Sequence, residues 1–345
     1  MQALVTEPGV PNSARVEDVP DVQPRAGEVP LRVLEVGICG TDREIAHGLF
    51  GAAPEGESKL VLGHEVLAVT TRDGEGLERG DLVTATVRRS CGHCRACAED
   101  SPDACFTGDY SERGITRLDG FAREVVAESA SQLIKVPTAL GRLGVLAEPT
   151  SICERALRHA RVIAGRQPWR LERALVVGGG AVGMLTTVLL RLQDVEVWTA
   201  SLETANPVVE ACGARYVSTH ETPLCELGSF DLVVEAAGNA QLMADSVGLL
   251  RRGGVACLLG IDGREQTVTL DGRLIGVDAV LQNRVVFGSV NAQRQDWLAG
   301  VAALDRARVR WQDALEQIVG LRVPLDRFAE AFEHPAGKAT LVLSD

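Results

Sequence analysis

Two patterns of apolar and polar positions divide the chain near residue 148. Before this point, short runs that alternate or are continuously apolar are separated by glycine and proline, which predicts β-strands joined by irregular turns. The clearest of these runs are LRVLEVGICG at 31–40, VLGHEVLAV at 61–69 and DLVTATV at 81–87. The first part of the chain is therefore predicted to be β-rich.

After residue 148, apolar strand-like runs alternate with stretches of helical spacing. The predicted strands are ALVV at 174–177, VEVWTA at 195–200, FDLVVEAAG at 230–238, VACLLGI at 255–261 and VVFGSV at 285–290. Helices are predicted for MLTTVLLRL at 184–192 and around QLMADSVGLLRR at 241–252, the latter ended by Gly253 and Gly254. This order is typical of a doubly wound parallel sheet covered by helices.

The tail of the chain is expected to return to the first domain. It contains a helical stretch, WLAGVAALDRARV at 297–309, and a strand-like run, ATLVLS at 339–344. The 345 residues also exceed the length of about 250–300 at which one hydrophobic core stops growing. We predict an α/β protein with a β-rich domain at 1–150 and 290–345 and a parallel-sheet domain at 151–289.

Composition and charge exclude several classes of protein. With 46% hydrophobic and 24% charged residues, the chain is not disordered, fibrous or a coiled coil. No uncharged apolar run is long enough to span a membrane, and MQALVTEPGV lacks the features of a secretory signal, so we expect a cytoplasmic protein without a membrane partner. The net charge of −12 disfavours a nucleic-acid partner.

Four of the nine cysteines lie within 15 residues, in the lobe at about 88–110. They are Cys91, Cys94, Cys97 and Cys105. Four thiolates at this spacing can hold one Zn²⁺ in a closed, structural site, or an iron–sulfur cluster, and nothing nearby suggests electron transfer. The alternative is a group of free or disulfide-linked thiols. We predict structural zinc.

A glycine-rich turn follows the predicted strand ALVV and precedes an apolar helix. Gly178, Gly180 and Gly183 have the spacing of the dinucleotide-binding fingerprint, and the turn also includes Ala181 and Val182. Such a turn brings a helix N-terminus and open backbone to a pyrophosphate. A tight turn without a ligand is the alternative. The context favours a dinucleotide and predicts a Rossmann domain at 151–289.

The next predicted strand ends close to Ser201 and Glu203. An acidic side chain at this place can accept hydrogen bonds from both hydroxyls of the adenosine ribose, whereas a 2′-phosphate needs a cation. The segment contains no Lys or Arg, which predicts NAD rather than NADP. A Glu203 side chain that points into solvent would remove the argument.

Cys39, His64 and a carboxylate from Glu65 or Glu148 could form a second zinc site. Three protein ligands leave one position for water or substrate, as catalytic zinc requires. From spacing alone these are scattered residues, and a hydrogen-bonded core histidine is the commoner interpretation of a lone His64.

Several motifs together resemble those of the zinc-dependent medium-chain dehydrogenases, and the resemblance covers essentially the whole chain. They are GICGTD, LGHEV, the four-cysteine lobe, AEPTS and GGGAVG, in this order. TVRRSCGHC, GDYSERGITRLDGF, LAEPTSICERAL and FGSVNA are similar to archaeal-type glucose (aldose) 1-dehydrogenases. The resemblance implies a GroES-like catalytic domain, a Rossmann domain and a homodimer or homotetramer.

The resemblance also implies roles for single residues. Cys39 and His64 would bind catalytic zinc, with Glu65 or Glu148 as the exchanging carboxylate. Thr41 would hydrogen-bond the substrate hydroxyl and pass on its proton, with His47 as a relay at the end of the path. The sugar would be contacted by Glu112, Glu148, Glu154 and Asn291, the last of which would also lie near the cofactor.

The implied reaction is hydride transfer from a sugar or polyol hydroxyl to NAD(P), with two zinc ions per chain, and an aldose would give a lactone. Relatives that use NADP carry Asn-Arg-Arg where this chain has Ser201-Leu202-Glu203, which supports NAD. Val87 stands where sugar-binding relatives carry Asn. A polyol, cyclitol or other secondary-alcohol dehydrogenase is therefore an alternative, and a non-catalytic nucleotide-binding relic is another.

Overall fold

The computed structural model describes residues 1–264 and 266–344, which form two compact units. One unit comprises Met1–Ser151, Asn291–Asp305 and Val319–Asp345, and the other comprises Ile152–Val290 and Arg306–Ile318. Among the described residues, no helix has both the length and the apolar character needed to cross a bilayer.

The strands, in chain order, are β1 (Gln2–Thr6), β2 (Arg15–Asp18), β3 (Glu28–Ile38), β4 (Leu60–Val61), β5 (Glu65–Thr70), β6 (Leu82–Ala85), β7 (Arg88–Arg89), β8 (Ser111–Arg113), β9 (Arg117–Leu118), β10 (Val125–Ser129), β11 (Leu133–Lys135), β12 (Arg173–Val177), β13 (Glu196–Ser201), β14 (Arg215–Ser218), β15 (Phe230–Glu235), β16 (Leu250–Leu258), β17 (Val285–Gly288), β18 (Val319–Pro324) and β19 (Lys338–Val342). The α-helices are α1 (Gly40–Ala46), α2 (Arg95–Ala98), α3 (Ala147–Ala164), α4 (Ala181–Arg191), α5 (Pro207–Ala211), α6 (Ala240–Asp245), α7 (Arg294–Ile318) and α8 (Phe328–Glu333).

The first unit is β-rich, as its strand pattern predicts, and it is built around a mainly antiparallel sheet. In the described chain this sheet has the order β11-β6-β5-β3-β19-β18, and β10 also pairs with β3. The apolar run at 61–69 is not one strand, because β4 ends at Val61 and β5 begins at Glu65. Gly63, with φ of 90°, turns the chain between them. This break brings His64 out of the regular sheet.

The second unit contains a parallel sheet in the order β14-β13-β12-β15-β16-β17 over the described residues. This is the doubly wound order of a Rossmann fold, which confirms the predicted fold class. The chain reverses direction across the sheet between β12 and β15, and ligands of such sheets bind at the carboxyl ends of these two strands. The glycine-rich turn lies directly after β12.

One predicted helix is shorter than its apolar spacing suggests. Helix α6 ends at Asp245, a 3-10 turn follows, and Leu250 already belongs to β16. Arg251 and Gly253 are therefore strand residues. Leu250 is fully buried and pairs with Phe230 of β15, and this long-range pairing outweighs the local helical pattern.

The tail also differs from the predicted domain division. Residues 290–345 were expected to belong to the first domain as a whole, but Arg306–Ile318, the second half of α7, groups with the second unit. Arg310 of this half lies 4.0 Å from Asp194 of the same unit. A helical pattern shows that a face is apolar without showing what packs against it, so the sequence could not divide this helix.

Candidate zinc and dinucleotide sites

The start of α1 holds Cys39 in a fixed position. Cys39 is the N-cap, and its Sγ accepts the backbone N–H of Thr41 over 3.2 Å. In return, Oδ2 of Asp42, three residues later, accepts the backbone N–H of Cys39 over 2.9 Å. This reciprocal capping box satisfies two free N–H groups and orients the thiol.

His64 lies between the thiol and a buried carboxylate. Its Nε2 is 3.2 Å from Cys39 Sγ, and its Nδ1 is 3.3 Å from Asp42 Oδ1. Burial opposes a charge on the ring, but the Cys39 and Asp42 charges outweigh it and raise the pKa of His64 well above its usual value. A carboxylate behind the imidazole is the usual way in which proteins orient a histidine toward a metal.

The pairing of β5 with β3 places Glu65 in the same site, and it requires a glycine on β3 opposite Glu65. Its partner across β3 and β5 is Gly37, and a Cβ on Gly37 would lie 2.0 Å from Glu65 Oε2. Glu65 Oε1 accepts a 2.6 Å hydrogen bond from Lys338 Nζ, and both side chains are buried. The pair compensates two charges that would each be costly alone.

The donor atoms of Cys39, His64 and Glu65 all lie within 4.8 Å of one another. Sulfur, nitrogen and oxygen in this combination fit Zn²⁺, with one coordination position open. Glu65 Oε2 is buried and accepts no hydrogen bond within the described residues, which fits an oxygen that faces a cation. The residues at this site therefore fit a catalytic zinc ion.

Glu148 lies at the first turn of α3 and is buried near this group. Burial, together with the charge of Glu65, raises the pKa of Glu148 to about 7. It is not part of the group whose donor atoms converge within 4.8 Å. Glu65 is thus the carboxylate that the resting geometry favours, and ligation by Glu148 stays a prediction.

Thr41 and His47 lie at opposite ends of α1. Thr41 is in the first turn, next to Cys39, and its hydroxyl has no hydrogen-bond partner within the described chain. His47 is the C-cap and lines a cavity of about 320 Å³ with Arg43 and Phe332. A seven-residue helix is about 10 Å long. The proton path that would end at His47 stays a prediction.

The four clustered cysteines converge as their spacing predicts. The four Sγ atoms lie within 4.8 Å of one another, and the Cys94–Cys97 distance is 3.4 Å. Hydrogen bonds lower the pKa of the Cys91 thiol to about 5, and the bond from the Thr107 side chain has the greatest effect. A lowered pKa favours the thiolate form. Four sulfur donors fit a closed zinc site.

Two predicted sugar-binding residues meet in the first unit. Asn291 Nδ2 donates to Glu112 Oε1 over 3.0 Å, although 179 positions separate the two residues. Glu154 follows Glu148 by six positions on α3 and is therefore rotated by about 120° around the helix. Glu154 also belongs to the second unit, and its contact with a sugar stays a prediction.

The glycine-rich turn has the geometry of a pyrophosphate site. Gly178 has φ of 123°, which excludes most side chains, and a Cβ on Gly183 would lie 2.0 Å from the Gly178 carbonyl oxygen. Gly180 caps α4, and a Cβ there would meet nothing within 4 Å. Ala181 and Val182 form the first turn of α4, so free backbone N–H groups face this open space.

Ser201 and Glu203 lie beside that turn. A Cβ on Gly179 would be 2.9 Å from Ser201 Oγ and 3.2 Å from Glu203 Oε2. The hydroxyl of Ser201 donates to Glu203 and lowers the pKa of its carboxyl. Tyr216 donates to the Glu203 backbone oxygen over 2.9 Å. The carboxylate is thus held at the turn.

Sequence reasoning missed Asp42, Lys338, Tyr216 and Arg88. Asp42 was recognisable, because an acidic residue three positions after a cap is a helix-start signal. No signal in the sequence indicates Lys338, which lies 273 positions from its partner, Glu65. Arg88 is likewise 24 positions from Glu112, to which it donates a hydrogen bond.

Two family models match the chain. The model described as alcohol dehydrogenase GroES-like domain matches residues 25–138, and the model described as glucose dehydrogenase C-terminus matches residues 141–344. The second match alone covers more than half of the chain.

Curated relatives cover nearly the full length. The glucose 1-dehydrogenase of Methanocella arvoryzae is 38% identical over 96% of both chains, and that of Thermoproteus tenax is 37% identical over 96% of both chains. The structure of Haloferax mediterranei glucose dehydrogenase in complex with NADP, Zn and gluconolactone has 31% identity, a TM-score of 0.91 and complete coverage of both chains. Galactitol-1-phosphate dehydrogenase of Escherichia coli, at 21% identity and a TM-score of 0.82, shares the fold.

Proposed function

The chain belongs to the glucose dehydrogenase group of the zinc-dependent medium-chain dehydrogenases, and from this premise we propose that it oxidises an aldose at its anomeric carbon to a lactone. The observation that carries the proposal is the convergence of Cys39, His64 and Glu65 donor atoms within 4.8 Å. The chain is an oxidoreductase, and the acceptor of the hydride is a nicotinamide dinucleotide.

Cys39, His64 and Glu65 would hold a Zn²⁺ ion, which would supply Lewis-acid chemistry that lowers the pKa of a substrate hydroxyl. The protein residues supply the rest. Asp42 contacts Nδ1 of His64 and so orients the ring. Lys338 holds one carboxylate oxygen of Glu65, which leaves the other oxygen near the donor atoms of Cys39 and His64. Both contacts fix the ligand atoms before substrate arrives, which reduces the reorganisation that binding requires.

Thr41 takes the substrate proton in this proposal. Its hydroxyl has no partner among the described residues and lies in the turn that begins at Cys39. A hydroxyl can accept one hydrogen bond while it donates another, which is what a relay needs. His47 is exposed at the far end of α1 and would be the outlet of the proton.

Glu112 and Asn291 orient the sugar. A carboxylate oxygen accepts hydrogen bonds from hydroxyl groups, and the bond from Asn291 keeps the carboxylate in place. Val87 precedes this strand pair and has no hydrogen-bonding side chain. The sugar position that an asparagine would contact in relatives is therefore recognised less strictly here.

NAD is the proposed cofactor, although the Haloferax relative was solved with NADP. The Glu203 carboxylate lies 3.2 Å from the Cβ that Gly179 would carry, where it can accept hydrogen bonds from ribose hydroxyls. A 2′-phosphate at this place would face a carboxylate whose pKa is lowered by the Ser201 hydroxyl. Like charges disfavour NADP.

The decisive experiment is a set of initial rates with aldoses, polyols and cyclitols, each with NAD and with NADP. We expect the highest kcat/KM for an aldose with NAD. Flat rates for every aldose would contradict the substrate proposal, and a strong preference for NADP would contradict the role of Glu203.

A polyol or cyclitol dehydrogenase is the second candidate, and Val87 is the observation that favours it. The same panel separates the two, because a cyclitol has no anomeric carbon. A catalytically inactive nucleotide-binding protein would be expected to have lost the ligands of the catalytic zinc, whereas Cys39, His64, Glu65 and Glu148 are all retained. Metal analysis should give two zinc ions per chain rather than one.

A homodimer or homotetramer is also proposed, with a second copy of this chain as the partner. Strand β17 ends the parallel sheet, so its outer edge has no strand partner within the described residues. Exposed apolar side chains lie on this strand and within five residues of its ends in sequence, at Val280, Leu281, Val286 and Val290. An unpaired strand edge with apolar side chains favours pairing with another chain, and a two-fold axis would place the β17 edge of a second copy against it.

A further inference from the structure

The carboxylate of Glu112, which is predicted to bind the sugar, forms an ion pair with an arginine. This ion pair has no part in the proposed proton and hydride transfers. Arg88 of β7 and Glu112 of β8 are register partners in an antiparallel strand pair. Arg88 Nε donates to Glu112 Oε1 over 2.9 Å, and the two side chains are 10% and 12% exposed. The strand pairing and the ion pair together fix the position of the carboxylate.

Both hydrogen bonds to this carboxylate end on the same oxygen. Asn291 Nδ2 donates to Glu112 Oε1, as Arg88 does. Oε2 accepts no hydrogen bond from the residues that the structure describes. A carboxylate held by one oxygen presents the other in a constant direction, which suits a hydrogen bond from a substrate hydroxyl.

The other side of the Arg88 guanidinium contacts the four-cysteine lobe. Nη1 donates to the backbone oxygen of Asp103, and the guanidinium carbon lies 3.9 Å from the centre of the Tyr110 ring. Asp103 belongs to the 3-10 turn that ends at Cys105, the last of the four cysteines. One side chain therefore touches the lobe and the predicted substrate carboxylate at the same time.

We propose that Arg88 is a positioning residue that holds Glu112 for the sugar, and that through Arg88 the four-cysteine lobe helps to determine sugar affinity. The inference rests on the proposed function, which makes Glu112 a substrate contact. It gives the lobe a role in substrate binding in addition to its role in folding.

Arginine is suited to this task because its planar guanidinium donates in several fixed directions. Arg88 uses Nε for Glu112 and Nη1 for Asp103. Lysine would keep the charge without the two fixed directions, and glutamine would lose the charge as well. Either change leaves the bond from Asn291 as the one fixed hydrogen bond on Glu112 Oε1. The carboxylate is then held less firmly, which weakens its bond to a sugar and leaves the hydride step unaffected once the sugar is bound.

Arg89 provides a matched control in the same strand. It forms a comparable ion pair with Glu128 at 2.5 Å, and Arg113 holds the same Glu128 oxygen at 2.9 Å. This pair is also mostly buried but is not hydrogen-bonded to Glu112. Arg89→Gln therefore reports the structural cost of losing an arginine from β7.

The experiment compares Arg88→Gln, Arg88→Lys and Arg89→Gln with the wild type, using the best substrate of the panel. We expect Arg88→Gln to raise the KM for the sugar about tenfold, the effect of losing one hydrogen bond between charged groups. Arg88→Lys should give a smaller increase. The KM for the dinucleotide and kcat should change less than twofold, and Arg89→Gln should leave the KM for the sugar unchanged.

Equilibrium dialysis of labelled sugar and zinc analysis provide readouts that do not depend on turnover. Sugar affinity should fall in Arg88→Gln while each chain retains its zinc. Equal KM values for Arg88→Gln and Arg89→Gln would overturn the inference, and so would a fall in kcat without a change in KM. If Arg88→Gln does not fold, an unchanged sugar KM in Arg88→Lys overturns the inference instead. A wild type inactive on aldoses would contradict the proposed function separately.

Discussion

At the scale of single residues, His64 and Glu65 of the candidate zinc site each have a buried charged neighbour. Lys338 neutralises Glu65, and Asp42 lies behind His64. A buried charge without a partner costs several kcal/mol, so each donor atom of the candidate zinc site depends on a second residue that does not itself bind metal.

Replacing Lys338 tests this dependence. Lys338→Met leaves the buried Glu65 carboxylate without its 2.6 Å partner, and we expect the metal-free protein to lose about 3–5 kcal/mol of unfolding free energy. Chemical denaturation measures the change. Lys135→Met is the control, because Lys135 is 52% exposed in its pair with Asp81 and should contribute at most about 1 kcal/mol. Equal losses in the two variants would contradict the compensation.

The sequence predicted donor atoms better than their supporting residues. The four clustered cysteines could be named from residue type and spacing, whereas Cys39 and His64 could be named only through the resemblance of GICGTD and LGHEV to the zinc-dependent dehydrogenases. Lys338 and Arg88 could not, because arginine and lysine are common at surfaces. Only the pairing of β19 with β3, and of β7 with β8, brings these two side chains to their partners.

At the scale of elements, the junction of β12 and α4 combines close packing with an open face. Gly183 sits where the helix approaches the Gly178 carbonyl, whereas Gly180 faces unfilled space. Glycine is therefore required at the two positions for different reasons. At Gly183 a side chain would prevent close packing of helix and strand, and at Gly180 it would occupy space that a ligand needs.

Alanine substitutions separate these reasons. Gly183→Ala puts a methyl group 2.0 Å from the Gly178 oxygen, and we expect a loss of about 1–3 kcal/mol in stability together with weaker dinucleotide binding. Gly180→Ala meets no atom within 4 Å, so its melting temperature should stay close to that of the wild type while the KM for the dinucleotide rises. Thermal denaturation and initial rates measure both effects. The turn would not be the pyrophosphate site if the dinucleotide KM changed in neither variant.

Element boundaries were predicted well where local signals agreed with tertiary pairing. The strand before the glycine turn, β12, ends at Val177, and α4 extends from Ala181 to Arg191, close to the expected positions. The prediction was wrong at 246–252, where residues 246–249 form a 3-10 turn and residues 250–252 belong to β16. The strand pairing with β15 is non-local, and no window of sequence contains it.

At the scale of the whole molecule, the outer edge of β17 has no strand partner among the described residues. Val286 on this strand is 40% exposed, and Val290, two residues after the strand ends, is 59% exposed. A surface of this kind is a source of aggregation unless another chain covers it.

Sedimentation velocity tests the proposed oligomer. Val286→Lys places a charge on the outer edge of β17, and we expect the dimer or tetramer to dissociate into smaller species with secondary structure retained. Val162→Lys is the matched control, because Val162 is an exposed valine of the same unit, at 71%, that lies on α3 rather than on β17. A monomeric wild type, or dissociation by both variants, would contradict the proposed interface.

The sequence by itself determined the fold class, the thiol cluster and the glycine turn, because each depends on residue type at short spacing, whereas Cys39 and His64 were predicted from the family resemblance. Only the tertiary structure shows that a Glu65 oxygen lies with the donor atoms of Cys39 and His64, that Lys338 and Asp42 contact these residues, and that Arg88 contacts both Asp103 and Glu112. Most of these contacts join positions far apart in the chain. They follow from strand pairing and burial, which local sequence patterns do not encode.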